Sequence, residues 1–259
     1  MAIRSIRGRA AGGGESPAVN WSLFCFPYAG AGAAVFRRWP DHLPDHVELC
    51  LPCLPGRDGR IGEPPAFSMA PLVASLAREI LASLTGPYAL FGHSMGAFVA
   101  FDLAHALSEL GRPPAHLFVS AQRAPRLPYA GQPIFALPDD EFLAEIRARY
   151  DSIPEQLRQQ KDLMASLLRT LRGDFTLAEN YRYRAAGRLA CPITAFGGLC
   201  DQLIARGQLE AWAAETNDRF GLHLLPGGHF FLNDSRNELL SLMRDQLETG
   251  RKRKLRIAS

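Results

Sequence analysis

Apolar and polar positions along this chain follow two alternating rhythms. Short, nearly unbroken apolar runs recur at Trp21–Phe26, Val47–Leu51, Tyr88–Phe91, His116–Val119, Pro192–Phe196 and Leu222–Leu225. Their length and their aromatic and branched residues predict strands buried on both faces. Longer stretches with apolar residues at helical spacing lie between them. Leu72, Val73, Leu76, Ile80, Leu81 and Leu84 predict a helix from about Ala70 to Leu84 with Ser68 as its N-cap. The apolar stretch Ala97–Leu107, closed by Gly111, predicts another, and further helices are expected at Val35–Leu43, Ala205–Thr216 and up to about Leu247. Strand followed by helix, repeated, predicts an α/β protein with a mostly parallel sheet and helices on both faces.

From about Arg123 to Arg184 this alternation stops. Helices are expected over Asp139–Tyr150, Pro154–Arg172 and Asp174–Tyr183, the first opened by three acidic residues and the second carrying Leu163, Met164, Leu167, Leu168 and Leu171 on one face. Between two sheet strands, such a block predicts a helical lid inserted over the carboxyl ends of the strands. The expected organisation is a disordered leader over 1–20, a core over 21–122 and 185–249, the lid insertion over 123–184, and a basic tail over 250–259.

Composition narrows the class. A chain of 259 residues with 47% hydrophobic and 21% charged residues can bury a large core. No apolar run approaches the roughly 20 residues that span a bilayer, and residues 1–16 lack the apolar stretch of a secretory signal, so a cytoplasmic protein without membrane contact is expected. The net charge is only +3, and the run Arg251–Arg256 reads as a solvated, frayed end rather than a nucleic-acid contact. Five cysteines, an odd number in mostly apolar surroundings, read as free thiols. Cys50 and Cys53 have C-x-x-C spacing but no second pair at zinc-ligand spacing, so no metal is expected.

The candidate chemistry centres on Gly92-His93-Ser94-Met95-Gly96, which joins a predicted strand to a predicted helix. A G-x-S-x-G sequence in that context makes a strained turn that exposes the serine hydroxyl at the end of the strand. A serine needs an imidazole to take its proton and a carboxylate to orient that imidazole. Of the seven histidines, only His229 stands in a loop just past a strand, after Gly227-Gly228. Asp201, after Gly197-Gly198, stands just past another strand, whereas Asp174 falls in the lid, Asp218 before a strand and Asp234 in the last helix. The order Ser94, Asp201, His229 is that of an α/β-hydrolase. Backbone N–H groups of Met95 and of the loop Tyr28–Gly32, chiefly Ala29 with Tyr28 or Gly30 as alternatives, are the candidate oxyanion hole.

Several motifs in one order then extend the picture. Phe26-Pro27-Tyr28-Ala29-Gly30, Leu54-Pro55-Gly56-Arg57 with Gly62-Glu63-Pro64, Gly92–Ala97, Asp174-Phe175 with Tyr181-Arg182-Tyr183, Cys191–Gly198 and Pro226–Phe231 resemble the type II, or editing, thioesterases of polyketide and nonribosomal peptide synthases. The resemblance covers about Leu23 to the last helix. It departs at Ala31, where a second glycine is common, and at Leu199-Cys200, where acidic residues often precede the catalytic aspartate. It implies an α/β-hydrolase that removes aberrant acyl groups from the phosphopantetheine arm of acyl or peptidyl carrier proteins, without metal or organic cofactor. Arg57, Arg60 or the lid arginines are then expected to dock the acidic carrier. A general esterase or peptidase, a cyclising thioesterase domain and a carrier-binding protein without catalysis are the alternatives.

Overall fold

In a computed structural model, which describes residues 3–6, 21–150, 161–184 and 186–258, the strands form one seven-stranded sheet. They are β1 (Ile3–Ile6), β2 (Trp21–Phe26), β3 (Val47–Pro52), β4 (Tyr88–His93), β5 (His116–Ser120), β6 (Ile193–Gly198) and β7 (Phe220–Leu225). Their spatial order is β1-β3-β2-β4-β5-β6-β7. Every pair is parallel except β1 with β3, which are antiparallel with Ile3 opposite Pro52. The expected α/β architecture is therefore present.

Residues 3–6 correct the expectation of a disordered leader. The outer edge of β3 offers a row of backbone donors and acceptors, and Ile3–Ile6 pairs with it despite the polar composition around it. Residues 7–20 lie outside the described part of the chain.

The helices are α1 (Met69–Ser83), α2 (Met95–Glu109), α3 (Asp139–Tyr150), α4 (Lys161–Glu179), α5 (Arg206–Glu210), α6 (Phe231–Asp234) and α7 (Arg236–Ala258). Ser68 does precede α1, but its hydroxyl makes no capping bond. The helix expected over Val35–Leu43 is instead two 3-10 turns, Ala33–Phe36 and Pro40–His42, because Pro40 cannot continue a helix begun before it. The stretch Ala205–Thr216 similarly divides into α5 and a 3-10 turn at Ala211–Glu215. The expected helices over 154–172 and 174–183 merge into α4 within the described residues; Asp174, read as a helix start, is buried at 1% exposure inside it. The helix expected to stop near Leu247 continues as α7 to Ala258. None of these helices is long and apolar enough to cross a membrane.

Two cores flank the sheet, as the unbroken apolar runs require. Along β2, Phe24 and Phe26 face α1 and α2 while Leu23 and Cys25 face α7; along β4, Tyr88 and Leu90 divide from Ala89 and Phe91 in the same way. Phe142, Ile146, Leu171 and Phe175 make a third, smaller core between α3 and α4.

The tightest crossing is between β4 and α2. A Cβ on Gly92 would lie 2.0 Å from the Gly96 carbonyl oxygen, and one on Gly96 would lie 2.2 Å from that of Phe26. Both contacts are with backbone, which cannot step aside. Gly92→Ala is therefore expected to destabilise the protein by about 3 kcal/mol or more, measured by urea denaturation, or to prevent soluble folding.

Candidate active site

Ser94 joins β4 to α2 with φ 52° and ψ −120°, a conformation that costs a residue with a side chain about 1–3 kcal/mol. Its N–H donates to Ser120 O at 2.8 Å, so β5 helps to hold the turn. The strain lifts the hydroxyl out of the sheet toward the loops that follow β6 and β7.

Those two loops are locked together. Leu199 N–H donates to Leu225 O at 2.8 Å and Cys200 N–H to Gly227 O at 2.9 Å. They pass so closely that a Cβ on Gly198 would meet Gly228 O at 2.3 Å. Asp201 and His229 are thereby brought side by side. Asp201 Oδ2 accepts from His229 Nδ1 at 3.0 Å, and His229 Nε2 lies 3.0 Å from Ser94 Oγ. Asp201 Oδ1 accepts the N–H groups of Leu203 at 2.9 Å and Ile204 at 3.3 Å, which fixes the carboxylate. With Nδ1–H donated to that carboxylate, Nε2 is left to accept the serine proton. The rival acids lie elsewhere: Asp234 is on α6, Asp218 caps the backbone before β7, and Asp174 is paired with Arg57.

Ser94, Met95, Ala29 and His229 border a cavity of about 320 Å³ whose apolar wall includes Ile146, Leu171 and Phe175 from α3 and α4. Met95 opens α2, where first-turn N–H groups have no acceptor within the helix. In the loop after β2, Gly30 N–H donates to Asp174 Oδ2 at 2.7 Å and Ala31 N–H to Tyr28 O at 3.1 Å. Gly30 is thus withdrawn as an alternative oxyanion donor. Ala29 N–H has no acceptor among the described residues.

Asp174 also overturns the docking role expected of Arg57. The guanidinium donates from Nη2 to Asp174 Oδ1 at 2.6 Å and from Nη1 to Asp174 Oδ2 at 2.8 Å and Ala31 O at 2.9 Å. Arg57 is 7% exposed, so no acidic partner can reach it. The pair instead ties α4 to the loop that carries Ala29. Arg60 is likewise committed, through two hydrogen bonds to Glu63.

His93, inside the elbow motif, supports the site from beneath. Fully buried, it donates from Nε2 to the His229 carbonyl at 3.0 Å, leaving Nδ1 to accept from the Ser120 hydroxyl at 2.8 Å. Burial, with His229 nearby, pushes its pKa well below the ordinary histidine range, so it holds the loop as a neutral ring. Glu179, 5% exposed, accepts from the Ile134 and Phe135 N–H groups and the Tyr129 hydroxyl, and burial raises its pKa in spite of them. Neither His93 nor the Arg57–Asp174 pair was read as functional from the sequence. Arg57 and Asp174 stand in two of the motifs noted above, but their pairing spans 117 residues, and no spacing rule reveals it.

Known proteins resemble this chain over most of its length. A family model described as a thioesterase domain matches residues 22–247. The Gramicidin S biosynthesis protein GrsT of Aneurinibacillus migulanus is 40% identical over 231 residues, covering 89% of this chain and 90% of its own. Among solved structures, ClbQ from the colibactin NRPS/PKS pathway superposes with a TM-score of 0.84 at 32% identity, over 90% of this chain and 98% of its own. YbtT, a type II thioesterase from the yersiniabactin NRPS/PKS pathway, gives 0.84 at 28% identity, over 96% and 99%. These neighbours share the α/β-hydrolase fold.

Two expectations follow from the buried polar groups. Arg57→Met leaves the Asp174 carboxylate buried without its partner, at a cost of about 3–5 kcal/mol in chemical denaturation, and Arg57→Met combined with Asp174→Leu should recover part of that loss. The second concerns acid. Burial, followed by the charge of Arg219, lowers the His116 pKa to about 3 against 6.5 for a free histidine, and its Nε2 lies 2.8 Å from Thr194 Oγ1. Above pH 6.5 both folded and unfolded chains carry this ring neutral. Below it only the unfolded chain binds the proton, so stability should fall with pH down to about 3, by about 1.4 kcal/mol per pH unit for each such histidine. Unfolding free energies from pH 7.5 to 4.5 should show a slope that is smaller by one proton in His116→Asn.

Proposed function

Because this chain belongs to the thioesterase family, we propose that it hydrolyses acyl groups from the phosphopantetheine arm of acyl or peptidyl carrier proteins, clearing aberrant or stalled chains from a cytoplasmic polyketide or nonribosomal peptide synthase. The observation that carries this reading is the hydrogen-bonded series Asp201–His229–Ser94 at the wall of a largely apolar cavity. ClbQ and YbtT, both from NRPS/PKS pathways, and GrsT, a gramicidin S biosynthesis protein, support it.

In this mechanism the thioester carbonyl lies against Ser94 with its oxygen toward the N–H groups of Met95 and Ala29. Ser94 Oγ attacks the carbonyl carbon while His229 Nε2 takes its proton, and Asp201 steadies the imidazolium. Charge gathers on the oxygen, where two fixed N–H dipoles stabilise it without reorganising; loss of one such donor typically costs about a hundredfold in rate. The C–S bond breaks, His229 returns its proton to the departing thiol, and the acyl group remains on Ser94. A water then gives its proton to His229 and attacks the ester, releasing the acid and restoring the serine. The helices between β5 and β6 act as the lid: they supply the apolar wall for the acyl chain, and their opening admits the pantetheine arm.

The test is Ser94→Ala. Hydrolysis of acyl carrier protein substrates should fall by at least about a thousandfold while carrier binding is retained, and a fluorophosphonate probe should label the native protein at Ser94 alone. Undiminished turnover in that variant would refute the mechanism, and a strong preference for aryl esters over carrier-bound thioesters would point to a general esterase.

A further inference from the structure

The acyl cavity contains a cation that the hydrolytic mechanism does not use. Arg123, just past β5, is 4% exposed and borders the cavity. Its guanidinium lies over the Phe98 ring at 4.8 Å and the Tyr129 ring at 5.8 Å. The side chain makes no hydrogen bond or ion pair with any described residue, and Nη1 is enclosed without an acceptor.

Its neighbours are already committed to other partners. The Gln122 amide oxygen accepts the backbone N–H of Arg123 itself at 3.0 Å. Glu179 is satisfied by two N–H groups and the Tyr129 hydroxyl, and Arg149 pairs with Glu145. Arg123 stays protonated even though burial lowers its pKa, since a guanidinium does not lose its proton in a protein. Contact with ring faces recovers little of what it costs to take such a cation out of water. A buried donor fork open to a substrate cavity is the arrangement that recognises an oxygen acceptor.

We propose that Arg123 is a specificity-determining residue of the acyl cavity, donating hydrogen bonds to an oxygen on the acyl chain, so that oxo- or carboxy-substituted acyl thioesters are preferred over plain alkyl chains of equal length. This rests on the thioesterase reading above. Phe98, on which the guanidinium sits, is three residues beyond Met95, or about 4.5 Å along α2. The cation is therefore placed to read the body of the acyl group rather than the carbonyl under attack.

The experiment compares thioesters that share one thiol, N-acetylcysteamine, and one chain length: hexanoyl, 3-oxohexanoyl and 5-carboxypentanoyl. Arg123→Met keeps the packing volume and removes the donors. It should lower kcat/KM for one or both oxygenated substrates by about tenfold or more while leaving hexanoyl within about twofold, with Arg123→Lys intermediate. Fluorophosphonate labelling of Ser94 at the native rate establishes that a variant is folded; if Arg123→Met fails that check, Arg123→Lys and Arg123→Gln carry the comparison. A parallel fall for all three substrates, or an unchanged ratio, overturns the assignment of Arg123 alone. If the native protein hydrolyses none of the three, the thioesterase reading fails and the proposal with it.

Discussion

The site depends on how closely β4 and α2 approach each other. Gly92 and Gly96 have no room for a Cβ: one on Gly92 would meet the backbone of Gly96 and Ala97, and one on Gly96 the backbone of Phe26 and Pro27 at the end of β2. That contact holds Ser94 in a conformation its own backbone disfavours, and it sets the proposed nucleophile at the start of a helix. The cost is local, while the packing that sustains it is spread over Phe98, Val99, Phe101 and Leu103, all fully or nearly fully buried along α2. A strained residue can persist only where so much else over-determines its position.

Around that turn, polar contacts set the remaining pieces, each across a long stretch of sequence. His93 reaches from the elbow to the backbone of His229, so the proposed base is held from the strand that carries the proposed nucleophile. The loops after β6 and β7 bond to one another and align the carboxylate with the ring. Arg57 and Asp174 bind the loop after β2 to α4, which makes the proposed oxyanion donor and the acyl wall parts of one unit. Movement of α4 as a lid would therefore act on Ala29 as well as on the cavity. Such buried pairs add little net stability, but they fix position, because breaking one strands a charge.

Much of this was legible beforehand. The strands of the parallel core, α1, α2 and α3 stand where the sequence pattern places them, and the residues of the proposed triad all lie just past strand ends. The misreadings share a cause. Ile3–Ile6 looked like a solvated leader because its stability comes from the edge of β3 and not from its own composition. Asp174 looked like a helix start because an acidic residue usually caps or faces water; its partner, Arg57, is distant in sequence. Arg57 looked like a docking residue for the same reason, and no local pattern distinguishes Arg123, which faces the cavity, from the other lid arginines.

What the sequence determined alone is what local chemistry can specify: the alternation of period, the glycines of the elbow, and the order of serine, aspartate and histidine. These follow from steric and hydrophobic preferences that act over a few residues. Only the tertiary structure decided that Asp174 takes the Gly30 N–H, which histidine holds the loop of the proposed base in place, and which arginine is spent on an internal carboxylate while another is left facing the cavity. Those outcomes depend on distances between segments more than a hundred residues apart in several cases, and on how completely water is removed from each charged group. Neither quantity exists until the sheet has formed and the helices have packed against it.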